Sequence, residues 1–171
     1  NKQDIVVPID SLYAINRQLI DSESARFSFV ENPVLLELKE MPTVKSISVP
    51  VHPDKPGDLR TVNIGKNIFI SSKDYNLHKC NEVRLLHLFN VMVSDKPHVT
   101  SVDNKKIPKI QWVSDGVKAR VLMVEGNWVE GLVEPSASKL KKDSVVQFER
   151  FGFVRFDGVH DGVLDFWFAH N

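Results

Sequence analysis

The chain has 171 residues, 42% of them hydrophobic, with 22 Lys+Arg against 22 Asp+Glu and a formal net charge of zero. That is enough for one large domain or two small ones with real cores, and the charge balance excludes RNA binding by a wholly basic surface while leaving room for a local basic face. A single cysteine, Cys80, excludes a disulfide framework and fits a reducing cytosol, and no apolar run approaches the roughly 20 residues of a membrane helix.

The first segment has the pattern of a helix. Pro8 and Asp10 precede Leu12, Ile15, Leu19 and Ile20 at near-helical spacing, with Asp10 placed as N-cap. After Arg26 the texture changes to short β-like runs broken by Pro, Gly, Asn and Asp. Strands are predicted over Phe27–Val30, Val34–Lys39, Ser46–Val51, Arg60–Ile64, Asn67–Ile70, Glu82–Val93, Val99–Val102 and Lys109–Val113. They continue over Val117–Val124, Trp128–Val133, Val145–Phe148, Phe153–Phe156 and Leu164–Phe168. In the last of these, Leu164, Phe166 and Phe168 share one face and Asp165, Trp167 and Ala169 the other. The Val83–Val93 run is apolar on both faces, as a strand buried on both sides or shared between two barrels would be. Ser94–Ile107 is polar and reads as an exposed hairpin or connection.

Closely spaced strands without long helices imply a mainly β fold of two antiparallel β-barrels behind a short helical segment. The expected division is a helical connector over residues 1–25 and a double barrel over 26–171. The middle barrel would run from about residue 82 to 135, with early and late strands sharing the other.

Catalytic and metal signatures are missing from the sequence. It contains no glycine-rich phosphate loop, no zinc spacing and no nucleophile elbow. The six histidines, at 52, 78, 87, 98, 160 and 170, form no metal-ligand grouping, and His87 reads as a core histidine on the Leu85/Phe89 side of a strand. Asp157, Asp161 and Asp165, interleaved with Gly158 and Gly162, read as a polar turn.

Four stretches go beyond a generic β pattern. The first is Asn16-Arg17-Gln18-Leu19-Ile20-Asp21, followed by Ala25-Arg26 and Asn32-Pro33-Val34. The second is Val51-His52-Pro53-Asp54-Lys55-Pro56, followed by Arg60. The third is Glu82-Val83-Arg84-Leu85-Leu86 with Asn90-Val91. The fourth runs through Ile110-Gln111-Trp112-Val113 and Gly131-Leu132-Val133-Glu134-Pro135 to Val145-Val146-Gln147-Phe148-Glu149-Arg150-Phe151-Gly152-Phe153. In this order, and over nearly the whole chain, they resemble the glutamyl/glutaminyl-tRNA synthetase family from just beyond its catalytic domain to the C-terminus. The archaeal/eukaryotic glutamyl type is the nearer match.

The resemblance implies the anticodon-recognition part of a cytoplasmic glutamate–tRNA ligase. ATP with Mg would be used on a Rossmann catalytic domain that is absent from this sequence, and this part would carry no cofactor and no activity of its own. The implied partners are tRNA-Glu, or tRNA-Glu and tRNA-Gln if the enzyme is non-discriminating, and the protein's own catalytic domain, with no DNA and no membrane. The chain opens on Asn1 without an initiator Met, consistent with a piece of a longer protein. Glutaminyl-tRNA synthetase, a β-barrel protein-interaction module and a generic RNA-binding barrel remain as alternatives.

The chemistry suits that role. Unstacked loop bases can be read on their edges by a few Arg, Gln and Asp groups on a rigid surface. Carried over from the family, the tRNA-binding residues are Arg26, Asp54, Lys55, Lys79, Arg84, Gln147 and Arg150. Lys79 would be a phosphate partner. Leu86 stands where the family often has a second arginine. Gln147 and Arg150, three apart, would face opposite sides of a straight strand, so a bend near Glu149 is predicted. Asn16, Arg17 and Asp21 are read as a structural bridge with phosphate contacts. Phe148, Phe151, Phe153, Trp112 and Trp128 are read as core or inter-barrel packing.

Overall fold

The computed structural model describes residues 15, 20–21 and 24–170. Ile15, Ile20 and Asp21 are helical; Asn16, Arg17 and most of the expected N-terminal helix lie outside the described residues.

From Arg26 onward the chain is mainly β. Seven strands form one sheet: β1 (Arg26–Phe27), β2 (Phe29–Glu31), β12 (Val117–Leu122), β13 (Trp128–Val133), β14 (Val145–Phe148), β15 (Gly152–His160) and β16 (Val163–His170). Their order is β1-β14-β15-β16-β12-β13-β2. The two edge strands, β1 and β2, are separated in the chain only by Ser28, so one extended segment closes both edges and the sheet curls into a nearly closed barrel. Alternation fixes its inside. Val146, Phe148, Val154, Phe156, Leu164 and Phe166 are buried together with Phe27, Phe29 and Val121. Phe29 stacks on Phe148 with ring centroids 4.7 Å apart, and Phe148 meets Phe166 edge-on at 4.8 Å. Gly131 is required where β13 crosses β2, because a Cβ there would meet the Val30 carbonyl oxygen at 2.4 Å.

A second core lies under two smaller sheets. One is β10 (Lys109–Ile110), β7 (Glu82–Leu85), β8 (Asn90–Met92) and β9 (His98–Ser101); the other is β11 (Val113–Ser114), β6 (Ile68–Ser71) and β3 (Pro33–Leu36). Leu36, Ile68, Ile70, Val83, Leu85, Val91, Ile110 and Trp112 fill it. A short helix, α1 (Ser72–Leu77), is capped by the Ser71 hydroxyl, which accepts the Asp74 N–H. A hairpin of β4 (Ser46–His52) and β5 (Lys55–Asn63) completes the fold.

Several elements differ from the sequence reading. Glu82–Val93 is not one strand but the hairpin β7–β8, turning through Leu86–Leu88. Both faces read as apolar because Leu88 and Phe89 of the turn region are buried in the core. His87 accordingly is not a core histidine: it is exposed, at φ 62° in the turn. Ser94–Ile107 contains β9 as well as turns. Strands 117–122 and 128–133, expected in the middle unit, hydrogen-bond into the seven-stranded sheet. Most pairings are antiparallel, but β1–β14, β7–β10 and β12–β16 run parallel. Trp128 is 41% exposed rather than core, with the Arg120 guanidinium 4.4 Å from its ring centroid. Asp165 is a buried strand residue, not part of a turn.

Candidate nucleic-acid interface

Arg26 and Gln147 are brought together by the sheet itself. β1 and β14 run parallel with Arg26 opposite Gln147, locked by the Gln147 N–H donating to the Ala25 carbonyl at 3.0 Å. Phe27 and Phe148 point into the core, so the alternating period of the strands turns Arg26 and Gln147 to the outer face. Arg26 Nη2 donates to Asp21 Oδ1 at 3.2 Å. Arg26 Nε and Gln147 Oε1 are buried and have no hydrogen-bond partner among the described residues. One is a donor and the other an acceptor, and an unmade hydrogen bond at a buried polar atom is costly.

The β4–β5 hairpin brings its tip to the same cluster. His52, just before the tip, is 3% exposed. Its Nδ1 accepts the Asp54 N–H at 3.1 Å, and its Nε2 lies 3.9 Å from Asp21 Oδ1. Asp54 and Lys55 are exposed at the turn. Arg26, Gln147, Asp54 and Lys55, widely separated in sequence, are thus linked through Asp21 and His52.

Arg150 follows across a turn. β14 ends at Phe148, Arg150 takes φ 65°, and Gly152 starts β15 at φ 144°, a backbone suited to glycine. The bend predicted from the Gln147/Arg150 spacing is therefore present. Arg150 is exposed and its Nη1 donates to the Lys109 carbonyl of the second unit. Beside it opens a cavity of 160 Å³ whose lining includes Glu31, Lys73, Gln111, Glu149 and Arg150.

Residues 24–111 match the family described as tRNA synthetases class I (E and Q), anti-codon binding domain, and residues 109–157 match a second family with the same description. The chain belongs to the class I E and Q synthetase anticodon-binding family. Its curated relatives include a glutamate–tRNA ligase of Methanocaldococcus jannaschii, 35% identical over 168 residues that cover 90% of this chain and 30% of the relative. One of Pyrococcus abyssi is 36% identical over 187 residues, covering 99% of this chain and 32% of the relative. One of Methanosphaera stadtmanae is 28% identical over 182 residues, covering 98% and 32%. The chain thus spans about a third of the length of these relatives.

All seven residues carried over from the family lie inside the matched spans, but the fold does not gather them into one cluster. Both terminal nitrogens of the Arg84 guanidinium are engaged within the protein. Nη1 donates to Asn90 Oδ1 (3.0 Å), the Val102 carbonyl (3.3 Å) and the Asp103 carbonyl (2.9 Å), and Nη2 to the Leu88 carbonyl (3.1 Å). This clamps the β7–β8 turn to the segment after β9. Lys79 is exposed on the second unit and lies 3.3 Å from Asp95 Oδ1. The hydrogen bond to Asp95, and then its charge, raise the Lys79 pKa above the ordinary lysine value.

His52, Glu134 and Gln111 were given no role from sequence, and Asp21 was given a different one. Asp21, expected to help contact phosphates, is instead an acidic partner of Arg26. His52, in the Val51–Pro56 stretch, is buried and its ring accepts the Asp54 N–H. Glu134 is 2% exposed and accepts from Arg60 Nε and Nη2, each at 3.0 Å, and from the Ser28 N–H at 3.0 Å. Arg60 and Glu134 therefore pin the hairpin to the seven-stranded sheet where its two edges meet. Gln111 plays a similar bridging part, its Nε2 donating to Glu149 Oε2 at 2.6 Å. Among the described residues no group of His, Cys, Asp or Glu is arranged to hold a metal ion, and no helix is long and apolar enough to cross a membrane.

Proposed function

We propose that this chain is the anticodon-reading part of a cytoplasmic glutamate–tRNA ligase, and that its RNA partner is tRNA-Glu, joined by tRNA-Gln if the enzyme is non-discriminating. The carrying observation is the Arg26–Gln147 pair: a guanidinium and an amide side by side on the outer face, with a buried donor and a buried acceptor lacking partners among the described residues. A splayed base presents donors and acceptors on its edge, so one base can satisfy both. Arg150, in the turn after β14, reads the same loop, while Asp54 and Lys55 on the hairpin tip flank it. Lys79 meets phosphate, where its charge adds affinity without sequence information. Arg84 acts through its clamp, by shaping the β7–β8 turn.

On this reading residues up to 25 form a connector and those from 26 a double barrel. The rest of the full-length protein, about two thirds by the relatives' length, supplies the ATP and Mg chemistry that activates glutamate. The 171 residues alone should catalyse no glutamate-dependent ATP–pyrophosphate exchange. The test of the RNA role is aminoacylation and binding by the full-length protein, with tRNA-Glu and an anticodon-swapped transcript. Gln147→Ala and Arg150→Ala should reduce discrimination between the two. A protein-interaction module would bind tRNA normally with both changes.

A further inference from the structure

We propose that His52 is a positioning residue for Arg26: it takes hold of Asp21 when Arg26 leaves that carboxylate for RNA. The inference rests on the base-reading role of Arg26. It starts from the tautomer. The Asp54 N–H donates to His52 Nδ1 at 3.1 Å, so Nδ1 is the acceptor and the ring proton sits on Nε2. That Nε2–H is buried and without a partner among the described residues, and the acceptor across from it is Asp21 Oδ1 at 3.9 Å. The gap is too long for a hydrogen bond. The same Oδ1 is occupied by Arg26 Nη2 at 3.2 Å.

One carboxylate oxygen thus faces two donors and satisfies only one of them in the free protein. While Asp21 holds Arg26, the guanidinium is partly neutralised and one of its donors is occupied. RNA offers Arg26 base-edge oxygens or phosphate, and Asp21 is then an unneutralised anion beside an anionic ligand. A closure of about 1 Å brings Asp21 onto the waiting Nε2–H at normal hydrogen-bond distance. The exchange raises the number of satisfied donors from one to two, since Arg26 gains the RNA and His52 gains Asp21. It also ties the Asp54–Lys55 tip to Arg26, because the ring that catches Asp21 is the ring that holds the Asp54 N–H. Of the charged groups among the described residues, Asp21, Arg26 and Asp54 are those linked to the imidazole.

The two nitrogens can be separated by substitution. His52→Asn keeps a short acceptor for the Asp54 N–H but cannot reach Asp21. His52→Gln extends an amide N–H toward the Nε2 position. The experiment measures the Kd of the full-length protein for a tRNA-Glu transcript, with each variant's unfolding midpoint recorded. His52→Asn should weaken binding about 10- to 100-fold, the scale of one lost charge-assisted hydrogen bond. In an Asp21→Ala background the same substitution should change binding by less than about twofold, because nothing is left to hand over. His52→Gln should recover part of the loss seen with His52→Asn. Equal losses from His52→Asn in both backgrounds would show that His52 merely props up the hairpin and would overturn the inference, with Arg26→Ala still weakening binding. An Arg26→Ala variant that binds normally is a different result, removing the Arg26 reading itself and this inference with it.

Discussion

Replacing Arg60 with alanine tests how the hairpin is fixed to the barrel. Glu134 is almost fully buried and takes two charge-assisted donors from Arg60, each at 3.0 Å, plus the Ser28 N–H at 3.0 Å and the Ser136 hydroxyl. Arg60 also gives Nη1 to the Pro50 carbonyl at 2.8 Å. Breaking a buried ion pair by removing one partner costs about 3–5 kcal/mol, because the other charge is left uncompensated. Two donors to Glu134 survive here, so the lower end, about 3 kcal/mol, is expected. For a chain of this length that lowers Tm by about 6–12 °C. The assay is thermal and urea unfolding followed by tryptophan fluorescence. The pair Arg60→Met with Glu134→Gln should recover much of the loss, since the buried charge is gone while an amide oxygen still accepts the Ser28 N–H. A fall of less than about 2 °C for Arg60→Ala would refute the claim that this pair anchors the hairpin.

Other outcomes follow from the same geometry. Arg84→Ala should destabilise the chain by about 1–2 kcal/mol, measured by urea unfolding, and leave the ratio of cognate to anticodon-swapped tRNA unchanged, because its terminal nitrogens hold Leu88, Asn90 and the segment after β9. Arg150→Ala should weaken aminoacylation of cognate tRNA by about 10- to 100-fold and narrow that ratio, on the scale of a lost bidentate base contact. Asp165 is held below the ordinary carboxylate range by its hydrogen bond to Arg120 at 2.7 Å, opposed by burial and aided by the charge of Arg120 and by His160. A depressed folded pKa contributes stability that is present above about pH 4, the unfolded value, and lost as pH falls through the lower folded one. Asp165→Asn should therefore destabilise at pH 7 and less at pH 3, as read by urea midpoints at both.

The β character, the bend after Gln147 and the inward face of β16 were legible because each depends on local period. Leu164, Phe166 and Phe168 alternate with Asp165 and Trp167, and two of the first three are fully buried with the third packed against them. Non-local pairing was not legible. Nothing in Val117–Leu122 says that it pairs in parallel with β16, so its sheet could not be assigned from sequence. The β7–β8 hairpin escaped because its turn lacks Gly or Asn at the left-handed position; His87 takes φ 62°, and the Arg84 clamp takes the place of turn chemistry. The site was legible only in part, for the same reason. Gln147 and Arg150 were carried over from the family resemblance and their spacing gave the bend, but Arg26 faces Gln147 through a register 121 positions distant in the chain, and Asp21 and His52 gain their meaning from folding alone.

The central claim is that Arg26 and Gln147 read a base. Its most direct test is the ratio of kcat/KM for tRNA-Glu to that for an anticodon-swapped transcript, measured with the full-length protein carrying Gln147→Ala or Lys79→Ala. The account predicts that Gln147→Ala shrinks the ratio by about tenfold, while Lys79→Ala lowers both values alike and flattens their salt dependence. Equal loss on both transcripts with Gln147→Ala would contradict it.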